Sequence, residues 1–228
     1  MHNSNIFVII PAFNESKSIG NVISDIPYGL VKEILVVDNG STDDTAMVAG
    51  KAGATVLHEP SKGYGNACLK GLDHLKSITN PNDIIVFLDG DYSDYPKEMT
   101  QIVQPIIDDK FDLVIGARHH RQSGSMLPQQ LFGNWLATRL IRLFYNVKFT
   151  DLGPFRAIRW SALQQIKMQD KTYGWTVEMQ VKAAKLNLRC HEVPVSYRRR
   201  IGISKVSGTV KGTILAGYKI LLTIFKNL

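Results

Sequence analysis

The sequence is poor in cysteine and contains no long apolar run. Cys68 and Cys190 are the only cysteines among 228 residues, and neither stands in a CxxC or His-rich cluster. Two isolated cysteines cannot form a disulfide framework, which indicates a reducing compartment and argues against structural zinc. No stretch of about 18 apolar residues is present, and no basic segment precedes the first apolar run, so we expect neither a membrane-spanning helix nor a signal peptide.

Acidic residues are scarce in the second half of the chain. Residues 118–228 contain 19 Lys or Arg and only 4 Asp or Glu, whereas residues 1–117 contain 8 and 16. The net charge of +7 therefore combines a half of net charge −8 with a half of net charge +15. This division predicts two sites of opposite polarity, one for a cation and one for an anion or an anionic surface. Nucleic acid is one candidate partner for the basic half.

Short apolar runs alternate with helix-like segments in the first half. Strands are predicted at 6–10, 33–37, 54–57, 84–88 and 113–115, and helices at 16–26, 43–52, 64–77 and 96–109. In the less regular second half, helices are predicted at 129–144, 176–186 and about 206–225, and a strand at 190–197. This alternation predicts an α/β fold, a mostly parallel, twisted sheet flanked by helices. Because no linker divides the chain, we expect a single domain.

Polar segments follow three of the predicted strands, at residues 11–15, 38–43 and 89–91. The carboxyl ends of parallel strands meet at one edge of a sheet, where ligands bind, so these segments should converge there. The two carboxylates of Asp89-Gly90-Asp91 can then hold a hard divalent cation such as Mg²⁺ or Mn²⁺. An ordinary acidic turn is the alternative interpretation.

Two other segments have the character of nucleotide contacts. Asp38 precedes a predicted helix start at Ser41 or Thr42, so its carboxylate is free to hydrogen-bond a nucleobase. Residues 62–65 (KGYG) resemble a phosphate-binding glycine turn at a helix N-terminus. Cys68 breaks the GxGxxG pattern and no P-loop is present, which argues against a dinucleotide-binding Rossmann domain.

Together these motifs resemble those of the family 2 glycosyltransferases, which have the GT-A fold. The ordered segments are PAFNE (11–15), DNGSTD (38–43), KGYG (62–65) and DGD (89–91). The second half resembles the branch of dolichyl-phosphate mannose and glucose synthases. That part of the resemblance rests on IGAR (115–118), DLGPFR (151–156), Glu178, and VPVSY (193–197) leading through Arg200 to Lys205.

The resemblance implies a nucleotide-sugar donor and a Mg²⁺ or Mn²⁺ ion held by Asp89 and Asp91, the DxD motif. The chain departs from the family pattern at two positions. Many relatives carry Asp where this chain has Asn39, and the mannose synthases carry Gln where it has Ser93. The implied nucleotide-binding residues are Pro11, Ala12, Asn14, Glu15, Asp38, Asn39, Lys62, Gly63, Asp89 and Gly90.

Two kinds of acceptor remain open. A polyprenyl phosphate is already an anion and requires cationic side chains, for which the candidates are Arg118, Arg139, Arg200 and Lys205. A saccharide hydroxyl requires a carboxylate base. Four acids follow residue 117. Asp151 and Glu178 match family positions, whereas Asp170 and Glu192 are expected at the surface. The predicted catalytic residues are Asp89, Asp91, Arg118, Asp151 and Glu178.

These observations divide the chain into a donor and metal half (1–117), an acceptor half (118–207) and an amphipathic C-terminal helix (208–228). The wide apolar sector of that helix predicts peripheral contact with a membrane or a membrane-bound partner. The leading hypothesis is inverting, metal-dependent transfer of a hexose to a polyprenyl phosphate at the cytoplasmic face of a membrane. The alternative is transfer to a saccharide hydroxyl in polysaccharide or cell-envelope assembly. The acids at 38–94 argue against a nucleic-acid partner.

Overall fold

A seven-stranded sheet forms the centre of the structure, a computed structural model that describes residues 4–202 and 210–227. The strand order is β3-β2-β1-β4-β6-β5-β7. Strands β1 to β4 pair in parallel, as do β5 and β7, whereas β6 runs antiparallel to both β4 and β5. The predicted α/β class with a mostly parallel sheet is confirmed. The strands are β1 (Ile6–Ala12), β2 (Glu33–Asp38), β3 (Thr55–His58), β4 (Ile84–Phe87), β5 (Leu113–Arg121), β6 (Arg156–Arg159) and β7 (Cys190–Tyr197).

Helices cover both faces of this sheet. Val8 and Ile10 of β1 pack towards α1, α2 and α4, whereas Phe7 and Ile9 pack towards α3 and the later helices. Strands buried on both faces contain continuous apolar runs, which is why β1 and β4 are readily predicted. The helices are α1 (Ile19–Ser24), α2 (Thr45–Lys51), α3 (Tyr64–Leu75), α4 (Met99–Ile107), α5 (Pro128–Tyr145), α6 (Trp160–Ile166), α7 (Trp175–Lys185) and α8 (Val210–Lys226).

The register brings the predicted polar segments to one edge of the sheet. Ala12, the last residue of β1, pairs with Asp38, the last residue of β2. β4 ends at Phe87, opposite Ile9, so Asp89 and Asp91 leave the sheet at the same edge. The structure thus brings residues 11–15, 38–43 and 89–91 together, as the strand pattern predicts.

Two elements of the second half were not predicted from the sequence. Strand β6 has the sequence RAIR, in which arginines flank two apolar residues, and Arg156 is fully buried. Helix α6 follows it directly. Strand β5 is also longer than the predicted 113–115, because its extension pairs with β7 as far as Arg121 opposite Tyr197.

Helix α8 packs against α5 and α7. The hydroxyl of Tyr145 donates a hydrogen bond to the carbonyl of Ile224 at 2.8 Å, and the rings of Phe144 and Phe225 meet edge to face, 5.5 Å apart. Ile224 is fully buried, so the helix contributes to the core. Residues 206–209 of the predicted helix lie outside the described residues. No helix in the described ranges is long and apolar enough to cross a membrane.

Candidate active site

A cavity of about 330 Å³ opens at the edge of the sheet where β1, β2 and β4 end. The loop before α3 forms a second wall, and Tyr173 and Arg200 from the second half of the chain complete the lining. Eight of the ten predicted nucleotide-binding residues line this cavity: Pro11, Ala12, Glu15, Asn39, Lys62, Gly63, Asp89 and Gly90.

Asp89 and Asp91 both contribute to the lining of the cavity. The hydroxyl of Tyr64 donates to Asp89 Oδ1 at 3.0 Å, and the backbone N–H of Ser93 donates to Asp91 Oδ1 at 2.8 Å. Burial, and then the charge of Asp91, raise the pKa of Asp89 to about 7. A bound cation would relieve this repulsion between carboxylates, so the pair fits a divalent metal ion.

The loop that carries Asp91 is held by the segment after β7. Arg198 Nε donates to the carbonyl of Tyr92 at 2.7 Å, and its guanidinium carbon lies 3.5 Å from the centre of the Tyr92 ring and 4.0 Å from that of Tyr95. The backbone N–H of Ile201 donates to the carbonyl of Asp91 at 2.9 Å. Arg198 therefore organises the loop that carries Asp91, a role that its place among three consecutive arginines does not reveal in the sequence.

Asp38 and Asn14, the other two predicted nucleotide contacts, do not line the cavity. Asp38 Oδ1 accepts a hydrogen bond from the N–H of Ser41 at 3.1 Å, and Oδ2 lies 3.3 Å from His58 Nδ1. Asn14 Oδ1 accepts from the N–H of Thr42 at 2.8 Å. In the structure both side chains brace the loops after β1 and β2.

Asn39 connects the loop after β2 to the glycine segment (residues 62–65). Its amide nitrogen donates to the carbonyls of Glu59 and Ser61 at 2.9 and 2.8 Å, and its amide oxygen accepts from the N–H of Gly63 at 2.7 Å. An aspartate cannot donate to the two carbonyls. The departure from the family pattern at this position therefore has a local structural reason.

The glycine segment 62–65 packs tightly against the α6–α7 loop (residues 167–174). A Cβ atom on Gly65 would lie 1.9 Å from the carbonyl oxygen of Asp170, so no side chain fits there. The N–H of Asn66 donates to the carbonyl of Lys171 at 3.1 Å. This contact brings Tyr173 to the cavity. Tyr173 is a lining residue that the sequence patterns do not identify.

Arg200, predicted as an acceptor-phosphate residue, lies inside the cavity of the donor half. One guanidinium nitrogen is 3.0 Å from Glu15 Oε1, and the other is 3.1 Å from Asp91 Oδ2. Its Nε is buried and has no hydrogen-bond partner among the described residues. The division into a donor half and an acceptor half is therefore not strict at this position.

Arg118 and Asp151 form a closed ion pair. The N–H and Nε of Arg118 donate to Asp151 Oδ2 at 2.8 and 2.7 Å, and a terminal nitrogen donates to Oδ1 at 2.6 Å. Burial alone would raise the pKa of Asp151, but the charge and hydrogen bonds of Arg118 outweigh it and hold the pKa below its usual value. Asp151 is therefore an ionised anchor for Arg118 rather than a free base.

Glu178 and Arg139, like Arg118 and Asp151, do not line this cavity. Glu178 accepts from the N–H of Asp170 at 2.7 Å, pairs with Lys182 at 2.7 Å, and lines a separate cavity of about 270 Å³ beside α8. Arg139 is exposed on α5, and its guanidinium carbon lies 5.8 Å from the centre of the Trp135 ring. Lys205 lies outside the described residues.

The two acids expected at the surface have internal partners instead. Asp170 is buried and accepts from the N–H of Thr172 at 2.7 Å. Glu192 accepts from the N–H groups of Thr150 and Asp151 at 2.9 and 3.0 Å. The contacts of Glu192 join segments 41 and 42 residues apart, which no local sequence pattern encodes, whereas the contact of Asp170 is local.

Two buried ionisable groups, Asp94 and Arg156, interact electrostatically with Asp89. Asp94 is 1% exposed, and neither of its carboxyl oxygens has a hydrogen-bond partner within the described part of the chain. Burial, then the charges of Asp89 and Asp91, raise its pKa well above the usual value. Arg156 is fully buried and donates to the carbonyls of Gly153 and Thr176, and burial lowers its pKa to about 10.

Comparison with known proteins identifies the family. The model named Glycosyl transferase family 2 matches residues 7–167, well over half of the chain. This chain belongs to glycosyl transferase family 2. The family predicted from the motifs is confirmed, and the protein is a glycosyltransferase. The match ends before α7, so Tyr173, Arg198 and Arg200 of this family 2 enzyme lie beyond it.

Relatives of this family 2 chain cover nearly its whole length. An uncharacterized glycosyltransferase of Mycobacterium tuberculosis is 36% identical over 215 residues, 92% of this chain and 94% of that protein. The undecaprenyl-phosphate mannosyltransferase of Micrococcus luteus is 29% identical over 225 residues, 91% of this chain and 89% of that protein.

A solved structure confirms the predicted GT-A fold. Glucosyl-3-phosphoglycerate synthase of Mycobacterium tuberculosis, in complex with Mn²⁺, UDP-glucose and phosphoglyceric acid, has a TM-score of 0.79 at 22% identity. The similarity covers 99% of this family 2 chain and 80% of the synthase.

Proposed function

We propose that this glycosyltransferase transfers a hexose, with inversion, from a nucleotide-sugar to a polyprenyl phosphate. The proposal rests on one observation: every carboxylate in the acceptor half is already hydrogen-bonded or ion-paired. All four acids after residue 117 lie within the described ranges, and each is held by backbone N–H groups, an ion pair or both. A hydroxyl acceptor requires a free carboxylate base. A phosphate monoester, with a second pKa of about 6, does not.

Asp94 does not provide that base. It is only 1% exposed, so an acceptor hydroxyl has no access to its oxygens. Burial, then the charges of Asp89 and Asp91, raise its pKa and so disfavour the ionised form that a base requires. The arrangement therefore favours an acceptor that arrives as an anion.

Asp89 and Asp91 would hold Mg²⁺ or Mn²⁺, and the cavity beside them would hold the nucleotide. When bound, the metal stabilises the charge that develops on the leaving diphosphate. No third His, Cys, Asp or Glu within the described residues is placed to share the ion, so diphosphate oxygens and water would complete its coordination. The Mn²⁺ and UDP-glucose in the structurally similar synthase support this part of the proposal.

Arg118 and Arg200 would attract and orient the acceptor phosphate. Both guanidinium groups act on Asp89, lowering its pKa, which indicates that both lie within electrostatic reach of the metal site. Guanidinium groups bind phosphate oxygens in a fixed fork geometry. The relative from Micrococcus luteus, an undecaprenyl-phosphate mannosyltransferase, supports the same class of acceptor.

The surface formed by α5 and α8 supports peripheral contact with a membrane, where a polyprenyl phosphate resides. Phe144 and Phe225 join the two helices, so the apolar side chains form a shared surface. Arg139 and Lys226 are exposed on the same two helices, and cations of this kind attract anionic lipid headgroups. The exposed apolar residues are Leu131, Phe132, Trp135, Leu143 and Phe144 of α5 and Leu215, Tyr218, Leu222 and Phe225 of α8.

The decisive experiment is an assay with and without the lipid. The purified protein is incubated with Mn²⁺ and a panel of UDP- and GDP-sugars, in the presence or absence of polyprenyl phosphate. We expect nucleoside diphosphate release and a lipid-linked sugar only when the lipid is present. Transfer to added saccharides, with no lipid-linked product, would reject the polyprenyl phosphate and favour a saccharide hydroxyl as acceptor.

A further inference from the structure

Arg200 places a positive charge beside two acids of the donor cavity, the cavity that opens where β1, β2 and β4 end. Its guanidinium lies 3.1 Å from Asp91 Oδ2 and 3.0 Å from Glu15 Oε1, and the side chain is 28% exposed. Glu15 and Asp91 follow β1 and β4, whereas Arg200 comes from the segment after β7. One side chain from the far end of the fold thus links two acids of the donor cavity.

The backbone fixes this arrangement. Ile201 N–H donates to the carbonyl of Asp91, and Arg198 N–H donates to the carbonyl of Ser93, both at 2.9 Å. These two bonds hold residues 198–201 alongside the loop that carries Asp91. Arg200 therefore faces Asp91 because of the chain's own pairing, and it requires no ligand to remain there.

We propose that Arg200 is an internal counter-cation for the metal site, which makes metal binding depend on the nucleotide diphosphate. This inference rests on the proposed function only in requiring that Asp91 bind a divalent ion. A metal ion that approaches Asp91 must displace the guanidinium and then lies close to a second positive charge. The metal alone therefore competes with Arg200 for the same carboxylate.

The diphosphate of the donor changes this balance. It brings negative oxygens that the metal can coordinate and that the displaced guanidinium can bind in turn. The Nε of Arg200 is buried beside the cavity and has no hydrogen-bond partner in the described part of the chain, so it gives the side chain a further donor for such an anion. Metal and diphosphate thus bind cooperatively, each raising the affinity of the site for the other by the same factor.

The test measures Mn²⁺ binding rather than catalysis. The free Mn²⁺ signal in electron paramagnetic resonance gives the dissociation constant of the metal alone and in the presence of saturating UDP or GDP. An opposite charge in contact shifts the pKa of a carboxylate by about 1–3 units, so the loss of Arg200 should change metal affinity by about tenfold or more. We expect Arg200→Met to bind Mn²⁺ alone at least about tenfold more tightly than the wild type, with a smaller enhancement by nucleotide.

Arg199→Met is the matched control. Arg199 is exposed, and its Nε donates to the carbonyl of Ser123 at 2.8 Å, so this variant removes the same charge without touching Asp91. Its metal affinity should match that of the wild type. Arg200→Lys, which keeps the charge, should bind Mn²⁺ alone about as weakly as the wild type does. Arg200→Gln, which removes the charge but keeps a polar side chain, should bind Mn²⁺ alone more tightly than the wild type and gives the same comparison should the methionine variant unfold.

Two different results separate this inference from the proposed function. If Arg200→Met binds Mn²⁺ alone no more tightly than the wild type does, the counter-cation role is wrong, whereas the metal site stands. If neither protein binds Mn²⁺ with or without UDP or GDP, the metal site itself is wrong, and the inference falls with it.

Discussion

Lys219 Nζ of α8 lies 3.0 Å from Asp170 Oδ2 of the α6–α7 loop. The same loop contacts the glycine segment through Asp170 and Lys171, and it places Tyr173 in the donor cavity. The C-terminal helix is therefore connected to the nucleotide site through one loop.

We expect Lys219→Met to loosen that loop. The lysine is partly exposed, so the loss of the pair should cost only about 1 kcal/mol of unfolding free energy. Affinity for the nucleoside diphosphate should fall more noticeably, because Tyr173 depends on the loop. Urea denaturation and UDP or GDP titration measure the two effects. Lys226→Met, at an exposed position of the same helix, should change neither.

Gly65→Ala should disturb the same junction from the other side. The added methyl group would lie 1.9 Å from the carbonyl oxygen of Asp170, so the α6–α7 loop must move. Overpacking of this kind costs about 1–3 kcal/mol, and we expect weaker nucleotide binding as well. Gly133→Ala in α5 is the control, since a Cβ there meets nothing within 4 Å and should leave stability equal or slightly higher. Equal behaviour of the two variants would contradict the contact.

The stability of the metal-free protein should depend on pH through Asp89. Its folded-state pKa is raised to about 7, above the usual unfolded value, so the folded state retains a proton that the unfolded state has lost. Stability is therefore lost as the pH rises from about 4 towards 7. In EDTA, Asp89→Asn should gain about 2–3 kcal/mol relative to the wild type between pH 5 and pH 8, measured by urea denaturation. A constant difference over this range would refute the shift.

Asp151→Asn should reduce stability and activity without changing the shape of the pH–rate profile. The variant leaves the buried Arg118 without its anion, which typically costs about 3–5 kcal/mol. If Asp151 anchors Arg118, kcat/KM falls by a similar factor at every pH between 6 and 9. Loss of the acidic limb, in which the wild-type rate falls as the base becomes protonated, would instead identify Asp151 as a catalytic base.

Membrane contact should depend on the exposed rings of α5 and α8. We expect the triple variant with Trp135→Ser, Tyr218→Ser and Phe225→Ser to bind anionic liposomes at least about tenfold more weakly in flotation, because each buried ring contributes more than about 1 kcal/mol. Tyr28→Ser is the control, since Tyr28 is fully exposed in the loop after α1, a helix on the other face of the sheet. Undiminished binding by the triple variant would exclude this surface.

The sequence predicts the donor half well because strands buried on both faces leave long apolar runs, as in β1 and β4. Strand β6 escapes prediction because its buried Arg156 donates to carbonyl and amide oxygens, those of nearby Gly153 and of Thr176 and Gln180 from α7. The motifs likewise identify Asp89 and Asp91, but they do not reveal that Tyr64 of KGYG contacts Asp89 or that Arg198 holds the loop of Asp91. Contacts of these two side chains span 25 residues for Tyr64 and 106 for Arg198, and no local pattern encodes them.

The pairing of residues 198–201 with the loop that carries Asp91 also constrains the order of events during synthesis. That loop lies in the first half of the chain, yet its backbone partners emerge from the ribosome roughly a hundred residues later. Domains fold as units once their segments are available. A nascent chain stalled before β7 should hold β1 to β4 as a partial sheet that binds no nucleotide. Nucleotide binding should arise only when β7 and residues 198–201 have left the ribosome.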